Sequence, residues 1–88
     1  MLYLFGIKDN LTEAKVFVDY KFGKELPVLS RDLSHFVNGE INKLHPFALD
    51  PTNYDVYRLA SIDEESGLVT PDYKFEFNLA ALKKHVDK

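Results

Sequence analysis

Lys15, Phe17 and Lys21 occupy alternate positions of the stretch Lys15-Val16-Phe17-Val18-Asp19-Tyr20-Lys21-Phe22. In a regular strand, residues two apart share a face, so this spacing sets two ammonium groups and a ring on one side, with Asp19 among them. The combination suits single-stranded nucleic acid, because lysines attract phosphates while a ring stacks on any base. The plainer reading is a strand whose second face is covered by a helix or another subunit. A second basic group, Lys83, Lys84 and Lys88, either meets phosphate or complements the negative end of a helix dipole.

Other chemistry finds no constellation. His35, His45 and His85 lack the spacing of a helical metal site, and Asp63-Glu64-Glu65 lacks the alternating ligands of a calcium loop. The four glycines, Gly6, Gly23, Gly39 and Gly67, are isolated, so no phosphate loop is present, and no serine sits in a nucleophile elbow. The expectation is a non-enzymatic protein with no catalytic residue, metal or cofactor.

Composition narrows the class. The 88 residues, 45% hydrophobic and 14% aromatic, suffice for one folded domain, residues 1–88, in which Tyr and Phe carry much of the core. Cysteine is absent, which fits a reducing cytoplasm. The apolar run Leu2–Ile7 is too short for a signal peptide or membrane span, so a cytosolic protein without membrane contact is expected. A net charge of -3 argues against a histone-like grip on DNA.

The elements that must position these residues follow from periodicity. Leu2–Ile7 is apolar at every position, as in an interior strand, and residues 15–22 alternate as a second one, with Val16, Val18, Tyr20 and Phe22 on one face. Ser30 is the expected helix cap, followed by a stripe of Leu33, Phe36 and Val37. The helix stops at Asn38, where Gly39 can supply a left-handed residue, or continues through Ile41 to Leu44. Tyr54–Ile62, the turn Asp63–Gly67 and the returning Leu68-Val69 read as a hairpin whose Gly67 has positive φ. Tyr73–Asn78 is a fourth strand, with Tyr73, Phe75 and Phe77 on one face, and Asn78 caps a short final helix bearing Leu79, Leu82 and Val86. The expected fold is α+β: a small antiparallel or mixed sheet of about four strands, a helix after the second strand and a short C-terminal helix. Its expected core draws on Phe5, Val16, Val18, Leu33, Phe36, Tyr57, Leu59, Phe75 and Phe77.

The run from His45 to Pro71 resembles the small nonstructural protein of the gokushoviruses, single-stranded DNA phages of the microvirus family. The sharpest part is Asp50-Pro51-Thr52-Asn53-Tyr54-Asp55-Val56-Tyr57-Arg58-Leu59, followed by Ile62-Asp63-Glu64-Glu65-Ser66-Gly67. Leu2 to Asp9 and Phe36-Val37-Asn38 also match that family's outline; Ala60, where relatives often carry Gly, and the long Gly39 to Leu49 connection depart from it. The resemblance implies a nonstructural accessory of phage genome replication in the host cytoplasm. It is expected to bind single-stranded DNA and to help the switch to single-stranded genome synthesis and packaging. No catalytic residues come with it.

Two functions therefore compete. One is DNA binding through Lys15, Phe17, Lys21, Lys83 and Lys84, helped by a homo-oligomer that hides the second apolar face and pools weak basic patches. The other is a module that docks on a phage or host replication or packaging protein, which the acidic balance favours. Lysines gathered on one face speak for the first, and scattered lysines for the second.

Overall fold

Leu2–Asp9 forms β1, an interior strand as its unbroken apolar run requires. A computed structural model of the chain describes residues 1–11 and 16–83. β1 is flanked by β2 (Phe17–Gly23) and β3 (Tyr54–Ile62), and β3 pairs in turn with β4 (Val69–Asn78). All pairings are antiparallel, giving the order β2-β1-β3-β4. Helix α1 (Leu26–Val37), the short α2 (Pro46–Leu49) and 3-10 turns at Pro51–Asn53 and Leu79–Leu82 complete the α+β fold.

The helices lie over one face of the sheet. Phe5 and Ile7 of β1 and Val56 of β3 point toward α1, whose Leu29, Leu33 and Val37 recur at helical spacing and are buried with them. Phe47, Tyr54 and Leu79 close this core, and Phe36, Phe77 and Leu82 pack on its margin. Phe47 is brought in by α2, whose first turn is capped when its own N–H donates to His45 Nδ1 at 3.1 Å.

Helix α1 starts earlier than Ser30. Glu25 is the cap residue, without a side-chain hydrogen bond, and Pro27 lies in the first turn, where a missing N–H costs nothing. Its end matches the sequence: Gly39 has φ +72°, Gly39 N–H donates to Phe36 O and Glu40 N–H to His35 O. These paired bonds satisfy the last carbonyls of a helix terminated by a left-handed glycine. Ile41 and Leu44 lie beyond it, exposed. Asn78 does cap the last turn, its Oδ1 accepting from Ala80 N–H at 2.9 Å, but that turn is 3-10; Val86 lies outside the described residues.

The hairpin also forms as read. Asp63 O accepts from Gly67 N–H at 2.7 Å, and Gly67 has φ +76°. At the opposite end of the sheet, buried Asn53 donates to Asp9 Oδ1 at 2.6 Å, and its carbonyl accepts from Asn10 N–H. Asp55 of β3 accepts from the amides of Asn10 and Asn78, and Asn78 Nδ2 also donates to Thr52 O at 3.0 Å, tying the Pro51–Asn53 turn to β4.

The expected core needs correction at five residues. Val16, Val18 and Phe75 are exposed at 48%, 49% and 51%. Tyr57 and Leu59 are half-buried, but on the face away from the helices. Tyr57 and Leu59 share the face of Gly6 by simple alternation from Val56, whereas β2 and β4 are also interrupted by β-bulges. Ile7 pairs with Asp19 while Lys8 pairs with Phe17, leaving Val18 as the extra residue; likewise Val56 pairs with Phe77 and Tyr57 with Phe75, leaving Glu76 over. Each extra residue reverses which side chains face the helices.

Candidate nucleic-acid interface

The face of the sheet turned away from α1 is paved with rings. On β2, Phe17 and Tyr20 have centroids 6.1 Å apart; Phe17 meets Tyr57 of β3 edge-on at 5.8 Å. Tyr57 then stacks on Tyr73 at 5.0 Å and meets Phe75 edge-on at 5.6 Å, both on β4. Five rings thus form one contiguous row across four strands. β1 contributes no ring, because at the crossing point it carries Gly6: a Cβ there would stand 2.7 Å from Phe17 Cδ1 and 2.8 Å from Leu59 Cδ1. Rings from strands two apart can therefore touch over its backbone.

Much of the row is open to solvent, with Tyr20 56% and Tyr73 63% exposed. Lys8 supplies positive charge: its ammonium lies 5.7 Å from the centroid of Phe17 and 5.6 Å from that of Tyr57, within cation–π range of both. Asp55 sits opposite Lys8 across the strands, but its carboxylate oxygens are engaged by Asn10 and Asn78.

Of the five residues singled out from sequence, the three that are described, Phe17, Lys21 and Lys83, do not share a face. Phe17 belongs to the row. Lys21 lies on the helix side, 3.3 Å from Asp19 Oδ2 and 6.0 Å from the centroid of Phe36, because the bulge at Val18 reverses the alternation between Phe17 and Asp19. Lys83 Nζ donates to Val37 O at 3.3 Å, meeting a free carbonyl at the end of α1, where a cation offsets the helix dipole. Lys15 and Lys84 lie outside the described residues. Sequence reading missed Lys8, which looked like the end of a strand, and placed Tyr57 and Phe75 in the core. The clue was available in Gly6, a glycine inside a strand, which marks a close approach.

A cleft of about 280 Å3 lies between β2 and α1, lined by Lys21, Phe22, Val28, Leu29, Asp32 and Phe36. Its one cation, Lys21, lies 3.3 Å from Asp19 Oδ2. Among the described residues, no three His, Cys, Asp or Glu side chains are gathered to hold a metal ion, and no helix is long and apolar enough to cross a membrane. No family model, curated protein or solved structure matches the chain.

Proposed function

We propose that this chain is a non-enzymatic accessory that binds single-stranded DNA on the ring row of its open sheet face. The observation that carries the reading is the contiguous, solvent-facing row Tyr20, Phe17, Tyr57, Tyr73 and Phe75 with the Lys8 ammonium over two of its rings. Every base has a π face, so such a row holds a strand with little regard for sequence, and each stacked base contributes about 1–3 kcal/mol. A duplex hides those faces, which favours the single strand. The resemblance to the gokushovirus nonstructural protein supplies the setting: phage genome replication in the host cytoplasm and the turn toward single-stranded synthesis and packaging.

Protein docking is the second reading, favoured by the net charge of -3 and by exposed Tyr20, Phe22, Tyr73 and Phe75, which form an apolar surface with little charge. Titration with a labelled single-stranded oligonucleotide separates the two. DNA binding predicts salt-sensitive association, quenched tyrosine emission in this Trp-free chain, and a loss of about 5- to 150-fold on Tyr73→Ala or Phe75→Ala. No association at low salt leaves the docking reading standing.

A further inference from the structure

The two edges of the sheet are unlike. β4 carries Pro71, which has no N–H to offer a neighbouring strand, followed by Asp72, Lys74 and Glu76. β2 has no proline and presents Val18, Tyr20 and Phe22 largely in the open. The N–H of Tyr20 donates to its neighbour's carboxylate, Asp19 Oδ1, at 2.9 Å. Among the described residues β2 pairs with β1 alone, so its outer edge is open to a further strand.

The order of residues in β2 matches an antiparallel copy of itself. With Tyr20 facing Tyr20 of a second copy, Asp19 faces Lys21 of the second copy and Lys21 faces Asp19 of the second copy, all within the regular stretch that follows the bulge at Val18. Directly opposed residues on antiparallel strands attract when their charges differ and repel when they match. The neighbouring registers that keep the helix face aligned fail this test. Centring on Asp19 opposes two carboxylates, and centring on Lys21 opposes two ammonium groups. Within one chain Lys21 Nζ is already 3.3 Å from Asp19 Oδ2, so pairing the edges would assemble four alternating charges on the helix side.

We propose that two copies of this chain associate through their β2 edges, antiparallel and centred on Tyr20, into a two-fold dimer with one eight-stranded sheet. The ring rows of both copies then lie on the same side of that sheet, each with its Lys8. The dimer does not depend on DNA binding, so it is tested without DNA.

Sedimentation over a range of concentrations measures it directly. The wild-type chain is expected to dimerise, while Asp19→Lys alone and Lys21→Asp alone each weaken self-association by roughly tenfold or more, since each opposes like charges. Mixing the two single variants must restore association, because each then offers the other the charges it lacks, and the double variant Asp19→Lys/Lys21→Asp must self-associate again. Unchanged far-UV circular dichroism in each variant shows that the fold survives. A wild-type chain that remains monomeric at its highest soluble concentration overturns the proposal. So does a dimer indifferent to these charge changes but dispersed by Phe75→Lys, which would place the contact on the open face, and so does a mixture of the two variants that stays monomeric.

Discussion

The ring of Phe17 occupies the space that a side chain at Gly6 would need: a Cβ there would stand 2.7 Å from Phe17 Cδ1. Glycine at this point lets β2 and β3 join their rings over β1. Gly6→Ala must push back both Phe17 and Leu59, and overpacking of this kind costs about 1–3 kcal/mol. Urea unfolding of the variant, with near-ultraviolet circular dichroism to follow the tyrosines, is expected to show lower stability and an altered aromatic signal together. Wild-type values for both would mean that the rings do not cross here.

Gly67 offers a cleaner backbone test. Its φ is +76°, and an added Cβ would meet nothing within 4 Å, so the cost of a side chain is conformational alone. Gly67→Ala is expected to lower stability by about 1 kcal/mol, and Gly67→Val by more, since β-branched residues resist the left-handed region most. Asn tolerates that region and should cost less than either. Equal unfolding midpoints for Ala, Val and wild type would contradict the turn geometry.

Asp63 makes the same turn sensitive to acid. Backbone N–H groups of Glu65 and then Ser66 donate to its carboxylate and hold its pKa below the usual value of 3.8. A depressed folded-state pKa means that the stabilisation is present above the unfolded value and disappears as pH falls through the folded one. A carboxyl titration followed by NMR should give a midpoint below 3.8 for Asp63, with the amide shifts of Glu65 and Ser66 moving at the same midpoint. A midpoint at or above that value would show that the amides do not engage the carboxylate.

These two turn residues belong to the part of the molecule that was readable in advance. Aromatic and β-branched residues from Tyr54 to Ile62, an acidic turn and a glycine that must be left-handed specify a hairpin locally, as Asn38-Gly39 specifies a helix end. The faces of β2 and β4 were not readable in the same way. Alternation placed Phe17 with Lys21, and Phe75 with Phe77, but the bulges at Val18 and Glu76 separate both pairs. A bulge is decided by the partner strand, and neither Val nor Glu advertises it. The start of α1 was obscured because Ser30 has a good capping side chain, whereas Glu25 caps without one and Pro27 gave no hint of lying inside the helix. Phe47 was hidden in a connection whose only helix is four residues long.

The corrected faces predict a contrast in the stability of aliphatic and aromatic variants. Leu33 is 1% exposed among Phe5, Ile7 and Val37, and Leu33→Ala should cost about 2–5 kcal/mol, a large share of what a domain of this size has. Phe75→Ala removes a larger side chain that is half exposed, so it should cost less than Leu33→Ala. Chemical denaturation of the two variants decides the assignment, because the opposite order would put Phe75 back in the core.

Lys8 gives the DNA proposal its sharpest electrostatic consequence. Its ammonium lies within 5.7 Å of two ring centroids on the open face, so a strand stacked on those rings must carry a phosphate past it. Releasing one counterion from a single strand contributes about 0.7 to the slope of log affinity against log salt concentration. Lys8→Ala should therefore weaken binding most at low salt and flatten that slope by about this amount per bound chain, while Lys8→Arg should preserve it. Lys83→Ala, which removes a cation from the helix side, should leave the slope unchanged. The reverse pattern, with Lys8 silent and Lys83 flattening the slope, would move any DNA contact from the ring row to the end of α1.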